Sequence, residues 1–273
     1  MTFALQTGAD TTEKSGNTRT VTANLGSLAD KDALFFWAGS RSTANTHTFT
    51  TPSGFTQLGS TLRTDYPSAP GHQRYSAVDL WWKRATGPES SLTATGSSGI
   101  NGMRVGYDAF RSSTGETPAI VSPCQDDSTG STASATYTPP SYTTTRTSLV
   151  LLFVWQHPDV NGTLAVTTAQ GFTVLDFWNA FSGNPIGAVL GQVLTAGTHT
   201  MPTVGATGGN VRPWSSKTLA LAAELPPGTD GWSVGSIRWG DMAARHAFLL
   251  AVLVVEIDVA VKVWTAALHV LGH

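Results

Sequence analysis

One cysteine, Cys124, stands in the 273 residues of this chain. It has no second thiol to meet, so neither an intrachain disulfide nor a thiolate zinc pair holds the fold together. Stability has to come from packing and hydrogen bonding. Charge is scarce as well: Asp, Glu, Lys and Arg make up 12% of the residues, about half of the roughly 25% usual in soluble proteins. A net charge of −2 and a pI near 6.4 leave no positive field to recruit nucleic acid or an acidic membrane. The stretch Met1 to Lys14 lacks a basic start followed by an apolar run, so it is not expected to serve as a secretory signal. What the chain has in quantity is glycine (28), tryptophan (9) and threonine-rich stretches. A surface of hydroxyls and glycine suits an extracellular or particle-bound β protein better than a cytosolic helical enzyme.

The most informative feature is repetition. Thr18 to Leu25 leads through a turn-like Ala29-Asp30-Lys31-Asp32 into the apolar run Ala33 to Trp37, and Gly54-Phe55-Thr56-Gln57-Leu58 follows. In the second half, Tyr142 to Thr147 precedes Leu149 to Trp155, and Gly171-Phe172-Thr173-Val174-Leu175 follows. Trp155 lies 118 residues after Trp37, and Gly171 lies 117 after Gly54. A shared Gly-Phe-Thr-x-Leu at nearly constant distance behind a Trp-ended run argues for duplication. Each copy continues with a second apolar strand (Ala77 to Trp82; Ile186 to Leu194), a turn, a Thr-rich strand and a closing strand (Met103 to Phe110; Lys217 to Leu225). Short β-branched and aromatic runs punctuated by Gly, Pro and Ser predict a mainly β chain of two tandem antiparallel, jelly-roll-like β-sandwich domains.

The expected boundaries are residues 1–113 for the first sandwich, 114–135 for a linker or crossing connection rich in Gly, Pro and Ser, 136–225 for the second sandwich, and 226–273 for a Pro/Gly hinge with an apolar tail. Two readings of that tail compete. Val255-Glu256-Ile257-Asp258-Val259 alternates like a strand, whereas Asp258, Lys262, Thr265 and His269 recur at helical spacing and favour a helix. Apolar around most of its circumference, such a helix needs cover, either on its own chain or in a homo-oligomeric bundle. Glu256, Asp258 and Lys262 interrupt it where a membrane span would need about 20 apolar residues, so no span is expected.

The chemical motifs are few, and the bland reading of each is the stronger. Gly231-Trp232-Ser233-Val234-Gly235 matches the G-x-S-x-G nucleophile elbow, but a Pro-Pro-Gly turn enters it where a strand should. His72, His157, His199, His246, His269 and His273 form no tight set with carboxylates at ligand spacing, so no metal site is expected. Asp126-Asp127 reads as a solvated acidic pair in the linker, and Asn161-Gly162-Thr163 as a hairpin turn. Trp81 and Trp82 fall on opposite faces of a strand, one in the core and the other half-exposed or covered by a loop. No catalytic, cofactor-binding or metal-binding residue is singled out.

Pro52-Ser53-Gly54-Phe55-Thr56-x-Leu58, then Asp79-Leu80-Trp81-Trp82-Lys83-Arg84-Ala85-Thr86-Gly87-Pro88-Glu89, then Tyr107-Asp108-Ala109-Phe110-Arg111 resembles the β-sandwich units of minor tail and accessory virion proteins of tailed bacteriophages. The likeness covers Thr18 to Arg111 well and Thr136 to Leu225 in outline; the second copy lacks the Lys-Arg-Ala and Tyr-to-Arg ends. The resemblance implies a non-catalytic structural subunit on a phage particle, made in the host cytoplasm, with copies of itself and other virion proteins as partners. Host cell-surface glycan is a further expected contact, and the alternative is a carbohydrate-binding or adhesin module.

Overall fold

The computed structural model describes residues 3–14, 19–24, 28–66, 75–87, 91–97, 99–157, 163–166, 169–178, 186–207 and 212–224. The hinge and apolar tail, Ser233, Asn161-Gly162, His72, His246, His269 and His273 lie outside them. Residues 1–224 form one compact unit. The protein is mainly β, and every described ladder is antiparallel. In chain order the strands of the first half are β1 (Phe3–Lys14), β2 (Arg19–Asn24), β3 (Ala33–Ser42), β4 (Phe49–Thr50), β5 (Thr56–Gln57), β6 (Leu62–Asp65), β7 (Tyr75–Arg84), β8 (Ser91–Gly96) and β9 (Ile100–Ser112). Those of the second half are β10 (Pro118–Ser128), β11 (Thr136–Tyr137), β12 (Tyr142–Thr144), β13 (Ser148–Gln156), β14 (Thr163–Val166), β15 (Thr173–Trp178), β16 (Ile186–Leu194), β17 (Gly197–His199), β18 (Val204–Thr207) and β19 (Trp214–Ala223).

Two large sheets dominate. The first runs β1-β9-β3-β7-β5, with β6 also on β7, and the second runs β10-β19-β13-β16-β15. The two orders correspond strand for strand, with β3 and β13, the Trp-bearing runs, at the centre of each. Three small sheets, β2-β8-β4, β11-β18-β14 and β12-β17, complete the set.

Alternation along the central strands explains the layering. Leu34, Phe36 and Ala38 of β3 join Leu92 and Ala94 of β8 in one core, so the first small sheet covers the outer face of the first large sheet. Val150, Leu152 and Val154 of β13 join Tyr137, Tyr142 and Val204 in another, which places the remaining small sheets outside the second large sheet. The other faces meet: Ala33, Phe35 and Trp37 pack with Leu151, Phe153, Trp155 and Trp178 in a core shared by both large sheets. A strand buried on both faces reads as a continuous apolar run rather than an alternating one. That is why Ala33–Trp37 and Leu149–Trp155 contain no polar residue. Trp37 stacks on Trp178 with centroids 4.2 Å apart, and Phe35 meets Phe153 at 5.6 Å.

The repeated Gly-Phe-Thr has a conformational reason. Gly54 (φ 78°) and Gly171 (φ 79°) both occupy the left-handed region, which glycine enters without a Cβ penalty. Each turn delivers the next residue, Phe55 or Phe172, into the outer core of its own half. The closing residues of the first motif are equally structural. Ala85 and Asp32 bond through their backbones at 2.8 Å, Lys83 lies over the Phe55 ring, and the Arg111 guanidinium grips Asp32 with two bonds of 2.7 and 2.8 Å.

The stretch expected as a linker or crossing connection, 114–135, holds strand β10, the edge of the second large sheet. Pro118 and Pro123 disguise it, and its ladder with β19 shifts register twice; prolines and bulges are tolerated at an edge. Among the described residues no helix is long and apolar enough to cross a membrane.

Candidate functional site

The core between the large sheets is apolar except at two places, and these are the chemically distinctive positions of the described molecule. Both arise on the strand next to the centre. In β19, Leu219 and Leu221 face the shared core, so by period-two alternation Lys217 does too; its side chain is fully buried. In β9, Phe110 faces the same core, and so does Asp108, at 0% exposure.

Lys217 is completely satisfied. Its ammonium donates to the Leu58 carbonyl at 2.8 Å, the Ser60 carbonyl at 2.6 Å and Asp126 Oδ1 at 2.8 Å. Three acceptors match the three donors of an ammonium. Asp126 stands directly opposite in the β10–β19 ladder, and its Oδ2 accepts from the backbone N–H and hydroxyl of Ser60. Burial pushes the Asp126 carboxyl up, but the hydrogen bond and charge of Lys217 and the Ser60 donors outweigh it and hold it below its usual range. Gly59 makes the approach possible, since a Cβ there would fall on the Asp126 carboxylate.

Asp108 is the reverse case. Neither of its oxygens has a well-formed hydrogen bond in the described structure, although the Trp37 indole and the Asp176 carboxyl come close enough to bias its protonation. Burial first, then the charge of Asp176, push the Asp108 carboxyl well above the usual range, against a smaller opposing pull from Trp37. Asp176 reaches this position through a bulge. The β15 register shifts between Val174 and Asp176, which sets Asp176 opposite Val189, a residue of the shared core. Arg104, four residues before Asp108 on the same face of β9, is pulled down to about 10 by burial, with the Asp176 charge acting to raise it.

Of the residues weighed from sequence, Asp126 belongs to the Lys217 site and the other described ones fall elsewhere. Asp126 and Asp127, expected as a solvated pair, are both engaged: Asp126 with Lys217, and Asp127 as acceptor for the Tyr137 hydroxyl, which also meets Ser216. Trp81 is buried in the outer core, and Trp82 is half-buried against Phe35. His157 is buried beside Tyr66, whose ring also carries the Arg212 guanidinium at 4.4 Å. His199 meets the Thr195 carbonyl. Among the described residues no group of three or more His, Cys, Asp or Glu side chains is gathered for a metal ion.

No family model, curated protein or solved structure matches this chain. Its chemistry is therefore read from its own geometry. Buried charge, hydrogen-bonded or proton-bearing, between two large sheets can fix their register and orientation; it offers no exposed nucleophile and no open general base. Sequence reasoning passed over Asp108, Arg104, Asp176 and Lys217. The available signal was an ionisable residue in step with apolar inward positions, Lys217 with Leu219 and Leu221 and Asp108 with Phe110.

Proposed function

We propose that the chain is a non-catalytic structural subunit of a phage virion, a minor tail or fibre-type protein that works as a homo-oligomer bound to other virion proteins. In this reading each large sheet with its small sheets is one of two tandem sandwiches, and residues 226–273 are the assembly segment, a helix. The observation that carries it is the use made of the motif whose sequence resembles that of phage tail units. Gly54, Ala85 and Arg111 are spent on closing the sheet sandwich, as scaffold residues would be, and the buried Lys217 and its partner Asp126 are spent on tying the second large sheet to the turn after β5. A scarcity of charge, 12%, fits a surface covered by neighbours in a particle.

Light scattering on the full chain and on a chain ending at Leu225 tests this reading. A discrete oligomer that becomes a monomer on truncation supports an assembly subunit. A monomer in both cases removes the reading.

One observation favours the second reading, a glycan-binding module. Threonines line the outer small sheets of the second half and their ends, with the exposed Thr143 and Thr198 bonded at 2.8 Å and the exposed Thr138 bonded to the half-buried Thr203 at 2.7 Å. Such a face offers hydroxyls without charge. Glycan-array binding lost on replacing Thr143 and Thr198 with valine would move this reading to the front.

A further inference from the structure

The loop between β3 and β4, residues 43–48, has one buried side chain. Thr43, Asn45, Thr46 and Thr48 are exposed, whereas His47 is 1% exposed. The rest of the loop is held through its backbone. Ser42 Oγ accepts the Ala44 N–H at 2.9 Å, and the Arg63 guanidinium on β6 donates to the Asn45 and His47 carbonyls at 3.0 and 2.6 Å. The turn after β8 adds Ser97, whose hydroxyl accepts the Thr48 N–H and whose own N–H donates to the Thr48 carbonyl, both at 2.8 Å. Of the groups that hold the loop, the imidazole is the one whose charge changes between about pH 5 and 8.

The seat of His47 fits the neutral ring. Nδ1 lies 2.8 Å from the Ala44 carbonyl oxygen, so this nitrogen carries the proton and donates it. Nε2 then holds a lone pair, buried and with no hydrogen-bond partner among the described residues. A lone pair tolerates that position at little cost. A second N–H bearing a positive charge would be a donor without an acceptor in a dry site. Around the ring, β4 presents Phe49, edge-on at 6.5 Å, while β6 carries Arg63 and Asp65 and β3 ends at Arg41 and Ser42. Among these charged groups it is Arg63 whose charge acts on the imidazole, and it is of the repelling sign.

We infer that His47 is an acid-sensitive pin: its neutral ring seats the loop 43–48 on the first half of the molecule, and protonation expels ring and loop together while the large sheets stay folded. The sign follows from linkage. Burial first, with the Arg63 charge, holds the seated imidazole below its ordinary 6.5, and the bond to Ala44 opposes them. The unseated ring titrates as an ordinary histidine, so the stability of the seat is fully present above about pH 6.5 and is lost as pH falls through the seated value. The buried carboxyls do not imitate this. Asp79 and Asp108 are raised, so acid favours their folded forms, and Asp126, lowered from 3.8, answers only to stronger acid.

The test is hydrogen exchange of the full chain at about pH 7.5 and about pH 5, corrected for the intrinsic rate, on the parent and on His47→Asn and His157→Asn variants. Asparagine keeps a donor near the place of Nδ1 and has no charge to gain. In the parent the amides of Ala44, Thr48 and Ser97 should exchange up to about thirtyfold faster at the lower pH, because each unit below 6.5 favours the protonated, unseated loop about tenfold. The ladders of β3 with β7 and β9 should not change. His47→Asn should abolish the acceleration, and His157→Asn, which alters the other histidine buried among the described residues, should keep it. Equal rates at both pH values in the parent overturn the inference, as does acceleration that survives His47→Asn, vanishes in His157→Asn or spreads over the large sheets. Should His47→Asn fail to fold, NMR titration of the His47 ring in the parent decides. A midpoint below 6.5 that coincides with the rise in loop exchange supports the pin, and a midpoint at or above 6.5 refutes it.

Discussion

Asp108 and Lys217 occupy the same position in two corresponding sheets: Asp108 pairs with Phe35 of β3, Lys217 pairs with Phe153 of β13, and those two rings are in contact. Each sheet therefore buries an ionisable side chain at this one position of the strand beside its centre. Lys217 meets the turn after β5, and the charge of Asp176 on β15, the strand that corresponds to β5 in order, adds to burial in pushing the Asp108 carboxyl up. The likeness of the two sheets carries through to these buried groups, an ammonium in one and a carboxyl in the other.

The lysine end should be the costlier to break. Removing one partner of a buried ion pair leaves the other uncompensated, typically about 3–5 kcal/mol, and Asp126 is partly exposed, which argues for the lower part of that range. Lys217→Met should lower the stability of the chain in urea unfolding at pH 7 by about 3 kcal/mol. Adding Asp126→Leu should return part of the loss, because the orphaned carboxylate goes with it. A Lys217→Met variant within about 0.5 kcal/mol of the parent, the range of an ordinary surface substitution, would show that the ammonium is not what joins the sheets.

Asp32 predicts a geometric rather than a purely electrostatic requirement. Its carboxylate is fully buried, accepts the Ala29 N–H at 2.9 Å, and takes both a guanidinium Nε and an Nη from Arg111. A lysine cannot reproduce that fork. Arg111→Lys should therefore lower the unfolding temperature nearly as far as Arg111→Ala, and Asp32→Ala combined with Arg111→Ala should cost less than the sum of the single changes. Full rescue by lysine would reduce the pair to simple charge attraction.

How much of this was readable beforehand depended on whether the deciding partner was local. The runs Ala33–Trp37 and Leu149–Trp155 announced central strands because burial on both faces is written in consecutive apolar residues. The Gly-Phe-Thr turns were readable because the left-handed glycine and the phenylalanine it aims are neighbours in sequence. β10 was hidden by Pro118, Pro123, Asp126 and Asp127, a composition that an edge strand shares with a loop. Lys217 and Asp108 were invisible for another reason: one of the carbonyls that satisfy Lys217 belongs to Leu58, 159 residues away, and the charge that adds to burial in raising Asp108 comes from Asp176, after a bulge whose register no local pattern fixes.

Close packing between sheet and strand gives a third expectation. A Cβ at Gly187 would stand 2.5 Å from the Val154 carbonyl oxygen and 2.5 Å from the Trp178 ring, and neither the central-strand backbone nor a stacked indole can withdraw. Overpacking of this kind costs about 1–3 kcal/mol. Gly54 is open to solvent at the same test but has φ 78°, so alanine there should cost about 1–2 kcal/mol through backbone strain alone. Urea unfolding of Gly187→Ala and Gly54→Ala checks both. A fluorescence change in the Trp37–Trp178 stack should accompany the first substitution and be absent from the second.

Cys124 supplies the last test, because its reactivity reads the neighbourhood of Lys217. Burial pushes its thiol up to about 12, with Lys217 pulling it down and Asp126 pushing it further up. Only the thiolate attacks an alkylating agent, so in the native chain iodoacetamide labelling at pH 8 should be slow. It should quicken about tenfold for each pH unit toward 11, as the thiolate fraction does below its pKa, and labelling in 6 M urea should be fast from the start. Lys217→Met removes the one influence that favours the thiolate. Under conditions where that variant is still folded, its native-state labelling should be slower than the parent's, although the variant is less stable. Faster labelling, in proportion to its lower stability, would mean that the thiol is reached by opening of the sheet edge and reports nothing of the buried ammonium.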